Sequence, residues 1–369
     1  MKNMKRVVAA LLAVMLVAAL AACGNTAAPA AEPAAQPAVE PANQPAAEPA
    51  AQPAAEPVKY PDHTITMVVP WGAGGGTDLV ARAFCAILEQ QIGESIAVLN
   101  KTGATGTIGT QYVYDAKPDG HTMLFSAENP CIYQVEGFSD LSFEDFRCVT
   151  MISNDPKIVC VAKDSPYQTM DELVAAIKAN PGKINYAMST AGASGHTQLL
   201  MYKACGLDMN LVSLGGGTNQ ITSVLSGETD WTNPAGSTVL DYLETGDLRC
   251  LATWSSKPVP GYEQYPPVTD AIPELLQYNV DLGFPLCICV SKDTPEEIFQ
   301  LILEASKKAA ATDEWKTFCA NNHLDDMTDI NGDAADAYLK ELTSRLSYAV
   351  YAADPTLPDP ATFGIEKLD

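Results

Sequence analysis

Residues 65–82, Ile-Thr-Met-Val-Val-Pro-Trp-Gly-Ala-Gly-Gly-Gly-Thr-Asp-Leu-Val-Ala-Arg, constrain the fold more than any other stretch of the chain. An apolar β-type run stops at Pro70, four glycines follow within five residues, and Thr77-Asp78 opens an apolar run at helical spacing. The order is strand, glycine loop, helix N-terminus. Glycine lets the backbone come close to a ligand, and the first helical turn carries N–H groups without acceptors at the positive end of the helix dipole. Such a corner suits an anion, although it also serves a chain that simply has to reverse. Gly72-x-Gly74-x-x-Thr77 lacks the third glycine of a dinucleotide fingerprint. The next strand-like run, 96–99, ends in Asn100 where an acidic ribose partner is required. No nicotinamide or other cofactor is called for.

The same grammar recurs along the chain. A helix over about 78–92 and a strand over 96–99 lead into the glycine-rich run 100–109, and Pro118-Asp119-Gly120 marks a turn before a strand over 121–126. Thr169 begins another helix, 184–188 reads as a strand, and the small-residue run 189–199 opens the helix after it. Residues 211–214 run into Gly215-Gly216-Gly217-Thr218 and a further helix that ends near Ser226-Gly227. Residues 281–290 cross back, and Thr294-Pro295-Glu296-Glu297 is a helix start of the N-cap and proline kind. Repeated β-loop-α units predict mostly parallel sheets with ligands beyond the strand C-terminal ends. The 369 residues, 47% of them hydrophobic, suffice for two such domains facing each other across a cleft.

The N-terminus is of another kind. Residues 1–6 are basic, 7–20 are apolar, and Leu20-Ala21-Ala22-Cys23 follows, the pattern of a lipoprotein signal peptide over 1–22 with Cys23 as the lipidated residue. The apolar run falls short of the ~20 residues a membrane span needs. From Cys23 to residue 57 the composition collapses to Ala, Pro, Glu and Gln, with prolines at 29, 33, 37, 41, 45, 49, 53 and 57. A proline every fourth residue forbids a stable helix and favours an extended tether. The folded part is expected as domain 1 over 58–158 and 283–369, with domain 2 over 159–282. A formal charge of −23 makes nucleic acid and anionic lipid headgroups poor partners. Ten cysteines include no CxxC pair and no zinc-type His/Cys spacing, so no metal is expected. Most sit in apolar runs such as 158–161 and 286–290, as small core residues.

Taken in order, Val69-Pro70 through Asp78 and Arg82, residues 100–109, Pro118-Asp119-Gly120, 189–196, Gly215-Gly216, Ser226-Gly227 with Asp230, and Thr294-Pro295 resemble the Bug-type solute receptors of tripartite tricarboxylate transporters. The resemblance covers about residue 59 to the C-terminus. It implies an α/β fold of the two-domain periplasmic-binding-protein (Venus-flytrap) kind, type II-like. It implies a small carboxylate, whether di- or tricarboxylate, amino acid or aromatic acid, gripped between the loops 70–78 and 189–196, with 215–218 on the hinge side. The receptor passes this ligand to a permease of one large and one small membrane subunit. The chain is expected to act as a non-enzymatic monomer, lipid-anchored on the outer face of the cytoplasmic membrane. Trp71, and Gly283-Phe284-Pro285, depart from the family pattern and bear on which ligand is bound.

The candidate ligand-binding residues are Trp71, Gly72, Ala73, Gly74, Gly75, Thr77, Asp78, Ser126, Glu128, Ser189, Thr190, Ala191, Gly192, Ser194, His196, Gly215 and Gly216. Residues 70–78, 189–198 and 213–220 contain no Lys or Arg, so a carboxylate has to be held by amide dipoles and hydroxyls, with His196 or Lys101 as the available cations. Asp78 is a capping or amine-recognising carboxylate, or first-turn charge complementing the dipole. His196 is a ligand contact or a local hydrogen-bonding residue, and Trp71 is a lid or an exposed loop aromatic. Glu128 lies where a cleft residue belongs and can recognise an amino group. Two other functions fit the chain: a surface sensor docking on a membrane kinase, or a hydrolase. The hydrolase must find its base among four histidines, none of them in a GxSxG-type motif.

Overall fold

The computed structural model describes residues 59–188, 194–215, 217–278 and 280–368, with the backbone alone at 282. The expected leader, Cys23 and the tether lie outside these residues, as do Ser189, Thr190, Ala191, Gly192 and Gly216. The chain first builds β1 (Ile65–Val69), α1 (Gly76–Ile92), β2 (Ile96–Asn100), α2 (Thr107–Tyr114), β3 (Thr122–Ser126), α3 (Tyr133–Glu136) and β4 (Phe146–Asn154). It then passes into β5 (Ile158–Ala162), α4 (Met170–Ala179), β6 (Asn185–Met188), α5 (Ser194–Ala204), β7 (Asn210–Ser213), α6 (Gly217–Leu225), β8 (Trp231–Thr232), α7 (Leu240–Glu244), β9 (Leu248–Thr253) and α8 (Val268–Ala271). It returns through β10 (Pro285–Ser291), α9 (Glu296–Ala310), α10 (Asp313–Asn321), β11 (Asp325–Asp326) and α11 (Asp333–Ala353).

Two sheets result, in strand order β11-β4-β10-β3-β1-β2 and β7-β6-β8-β5-β9. Parallel pairs β1/β2, β1/β3, β6/β7 and β6/β8 form where the βα units alternate. The strands that carry the chain between sheets, β10 and β5, insert antiparallel to both neighbours. Each sheet is therefore mixed, with four of six and four of five strands running one way. The α/β pattern read from the sequence holds, and each sheet defines a lobe.

Strand alternation separates two apolar layers on every sheet. In β1, Ile65, Met67 and Val69 face one layer with Leu286, Ile288 and Val290 of β10, while Val68 faces the other with Cys287 and Cys289. In β5, Val159 and Val161 join Trp231, Tyr186 and Tyr202 on one side, and Ile158 and Cys160 join Val239 and Tyr262 on the other. Cysteines at 85, 131, 148, 160, 250, 287, 289 and 319 are buried, the core placement expected for a small apolar side chain. Each large apolar side chain buried this way contributes roughly 1.5–3 kcal/mol relative to exposure.

Element ends differ in instructive ways. Helix α1 starts at Gly76, two residues before the expected Asp78, because Gly75 caps it without a side-chain bond. Strand β3 starts at Thr122, since the His121 N–H is taken by the Asp119 carboxylate. Pro295, rather than the expected Thr294, occupies the cap position of α9, and the buried Thr294 hydroxyl has no partner. Among the described residues no helix is long and apolar enough to cross a membrane.

Candidate functional site

The C-terminal ends of β1 in the first lobe and of β6 and β7 in the second open onto one cavity. Trp71, Gly72, Gly75, Gly76, Thr77, Asn129 and Phe284 line it from the first lobe, facing Lys157, Ser194, Gly215, Gly217 and Gln220. Gly76 and Thr77 are the first residues of α1, Ser194 opens α5, and Gly217 opens α6. First-turn N–H groups have no acceptor within their own helix, so three positive helix ends meet at the cavity wall. Gln220 lines the wall with its Oε1 3.1 Å from Thr232 Oγ1. The mouth is narrow: Thr218 Oγ1 of α6 donates to the Gly74 carbonyl at 3.3 Å.

One cation stands among these dipoles. Lys157 is 7% exposed, and its Nζ lies 3.9 Å from the centre of the Phe284 ring. Among the described residues no carboxylate comes within 4.0 Å of it. Burial pulls its pKa below the ordinary lysine value, against the charges of Glu128 and Asp155 farther off. The Asp155 carboxylate is already engaged by the Ser237 hydroxyl and, at 3.2 Å, by the Ser237 N–H. Glu128 is 4% exposed and neither of its oxygens has a hydrogen-bond partner. Burial pushes its pKa up to about 7, partly countered by Lys157 and by the nearby Ser194 side chain. Glu128 lines a smaller chamber with Thr197 and Gln198 that shares Ser194 with the main cavity. Thr197 Oγ1 and Gln198 Oε1 are likewise unpartnered.

The site residues read from the sequence divide accordingly. Trp71, Gly72, Gly75, Thr77, Ser194 and Gly215 line the cavity, and Glu128 lines the adjoining chamber. Ala73 and Gly74 belong to the exposed tip of the loop. Asp78 does not line the cavity: its buried carboxylate accepts from the Gly74 N–H at 2.9 Å, Arg82 Nε at 3.0 Å and Asn100 Nδ2 at 2.8 Å, and so ties the glycine loop to α1 and β2. Burial raises the pKa of Asp78, but Arg82, the Gly74 N–H and Asn100 outweigh it and hold the group below the ordinary range. Ser126 is buried within β3, where its hydroxyl donates to the Ala127 carbonyl at 3.1 Å. His196 turns away to Glu136 Oε2 across the lobes at 3.3 Å. Lys101 stacks on Tyr112 at 4.4 Å and does not line the cavity. Of the run expected on the hinge side, Gly217 and Thr218 lie against the first glycine loop, Gly217 close to Gly75 and Thr218 bonded to Gly74.

The second glycine-rich run, 100–109, serves packing. A Cβ on Gly109 would stand 2.7 Å from the Lys101 carbonyl and 2.9 Å from Pro70 Cα, so only glycine lets α2 press against the first loop. Lys157 and Gln220 escape a reading of the sequence, whereas Phe284 stands out there as part of the Gly283-Phe284-Pro285 departure. For Lys157 and Phe284 the available signal is position: they lie at 155–157, between β4 and β5, and at 283–284, just before β10, where the chain passes between sheets, and such passages border an interlobe cavity.

Two α/β lobes joined by crossing strands, with an anion-suited cavity between them, define a periplasmic-type binding protein. The family model for the tripartite tricarboxylate transporter family receptor matches residues 80–345, and the chain belongs to that family. BugT of Bordetella pertussis is 29% identical over 203 residues, which is 53% of this chain and only 62% of BugT. The structure of the periplasmic binding protein BugD superposes with a TM-score of 0.73 at 23% identity, covering 84% of this chain and 100% of BugD. MatC from Rhodopseudomonas palustris, solved with bound malate, superposes with a TM-score of 0.71 at 22% identity, covering 79% of this chain and 100% of MatC.

Proposed function

We propose that this chain is an extracytoplasmic solute-binding lipoprotein, anchored through Cys23, that captures a small carboxylate in the interlobe cavity and hands it to a permease of one large and one small membrane subunit. The observation that carries the reading is Lys157, a buried ammonium with no ion-pair partner among the described residues, facing a cavity walled by helix N-termini. A buried charge is costly unless compensated, and the missing countercharge is an anion of the ligand. The Gly72–Thr77 loop, Ser194, Gly217 and Gln220 supply oriented N–H and O–H donors around it. Charge-assisted contacts of this kind contribute roughly 1.5–3 kcal/mol each. The malate bound by MatC supports the same ligand class. Glu128, unpartnered in the adjoining chamber, reads the ligand's other end and favours an amino or hydroxyl group there.

The test is the melting temperature of the protein against a panel of di- and tricarboxylates, amino acids and aromatic acids. A ligand at about 100 times its dissociation constant adds ~2.7 kcal/mol of stability, a readable shift. A selective shift that Lys157→Met removes is the expected result. A shift untouched by Lys157→Met excludes this cavity as the carboxylate site. Labelling with a radioactive fatty acid that is lost in Cys23→Ser checks the anchor.

A further inference from the structure

We infer that Asp62, His63 and His121 form a surface site for a divalent transition-metal cation of the kind that imidazole and carboxylate ligands hold together, with zinc, nickel and copper the leading candidates. His63 Nδ1 is 2.6 Å from Asp62 Oδ1, and His121 Nε2 is 3.3 Å from the same oxygen. One ligand atom from each of the three residues falls within 4.8 Å of the other two. Around a metal with bonds of about 2.0–2.1 Å, tetrahedral ligand atoms are separated by roughly 3.3 Å, the spacing that His121 Nε2 and Asp62 Oδ1 already have. A mixed nitrogen and oxygen set selects borderline metals over magnesium or calcium, which favour all-oxygen cages.

His121 is built as the fixed ligand. Its side chain is 10% exposed, the Tyr60 ring packs edge-on against it at 4.9 Å, and the Tyr60 hydroxyl donates to the Gly120 carbonyl at 2.8 Å. The His121 Nδ1 lies 3.1 Å from the Asp119 carbonyl, with the Asp119 carboxylate at 3.4 Å. Donation from Nδ1 to that carbonyl, the outer-shell arrangement that orients a metal-binding imidazole, makes Nε2 the acceptor; without an ion it takes the Asp62 N–H at 3.4 Å, a long contact that a metal would replace. Gly120 permits the geometry, since its φ of +78° suits glycine and a Cβ would strike Ile298 at 2.6 Å. His63 is the mobile ligand. It stacks on His121 with centroids 3.7 Å apart and planes 7° from parallel, and with 62% of its side chain exposed it is free to swing from the stack onto the ion. The ion would fasten the segment just before β1 to the turn just before β3. The buried Cys148, Cys287 and Cys289 thiols make a rival cluster, sealed in the core with no path for an ion.

The experiment is titration of the full-length, metal-stripped protein with Zn²⁺ by calorimetry and with Co²⁺ by absorption spectroscopy. The expected result is one equivalent bound, cobalt d–d bands without thiolate charge transfer, and a melting temperature that rises with metal. His63→Gln, a change at an exposed residue, should leave the metal-free melting temperature unchanged and weaken binding by at least about tenfold; His121→Gln should weaken binding as much. A thiolate band, binding retained in both variants, or no saturable binding overturns the inference.

Discussion

Replacing Glu128 by Gln should stabilise the ligand-free protein, and only at neutral and alkaline pH. In the folded chain burial raises the carboxyl from 4.5 to about 7, the opposing pull of Lys157 already included. Between those values the folded state holds a proton that the unfolded state has released, so stability falls as pH rises from 4.5 to 7 and stays lower above. A tenfold change in proton affinity corresponds to about 1.4 kcal/mol, which sets the cost of ionising Glu128 above pH 7.5 at about 3 kcal/mol. Glutamine keeps the shape and stays neutral, so it does not incur that cost. With an unfolding entropy of ~2.1 cal/mol/K per residue over the roughly 300 described residues, 3 kcal/mol corresponds to roughly 5 °C. Thermal melts followed by circular dichroism from pH 4.5 to 8 should therefore show variant and parent coinciding at the acid end and separating by about 5 °C at pH 8. A difference that does not vary with pH, or a variant that loses stability as pH rises, would refute the reasoning that burial of Glu128 outweighs what Lys157 and Ser194 return to it.

Other changes separate binding from folding. Lys157→Met should weaken the ligand found by the panel roughly ten- to hundredfold in calorimetry, while ligand-free stability balances the removal of a desolvated ammonium against the loss of its pull on the buried Glu128 and Asp155 carboxyls. Gly109→Ala should lower the melting temperature through roughly 1–3 kcal/mol of overpacking, whereas Gly72→Ala, whose Cβ meets nothing within 4 Å, should spare stability and reduce affinity. Asp78→Asn should destabilise at pH 7, and the parent should lose this contribution as pH falls through the lowered pKa of Asp78, so the two melting curves should converge in acid. Since the direct latch at the cavity mouth is the Thr218–Gly74 bond, ligand-free protein should sample open lobes; X-ray scattering should show the radius of gyration fall on saturation, and an unchanged radius would count against closure.

What the sequence made legible was whatever depends on neighbours in the chain. The 65–82 corner, the helix capped by Thr169 and the turn at 118–120 are local arrangements, and the structure reproduces them within a residue or two. Glycine, by contrast, marks close approach without saying to what. At Gly72 and Gly75 the open side is the cavity, whereas at Gly106 and Gly109 it is filled by Trp71, Tyr133 and Pro70. Both runs look alike in one dimension, and only the packing of α2 against the first loop tells them apart. Asp78 is a similar case. Its place in the first helical turn suggests a ligand or a dipole partner, but Arg82 and Asn100 from two other positions claim its oxygens.

The charges that matter most for binding were invisible for a different reason. The runs 70–78, 189–198 and 213–220 hold no Lys or Arg, since the cavity's cation does not sit on a loop that follows a strand end of the βα units. Lys157 enters from the link between β4 and β5, 29 residues in sequence from Glu128 and 127 from the Phe284 ring it lies over. A two-lobed receptor needs such an arrangement. A cation carried on a ligand-gripping loop of one lobe would move with that lobe and stay solvated while the cleft is open. One carried at the crossover, as the buried Lys157 is, belongs to neither gripping loop, and its low-dielectric surroundings strengthen its attraction for an anion. The loop donors of the two lobes can then be reserved for the closing step, where their contact with ligand distinguishes the closed state from the open one.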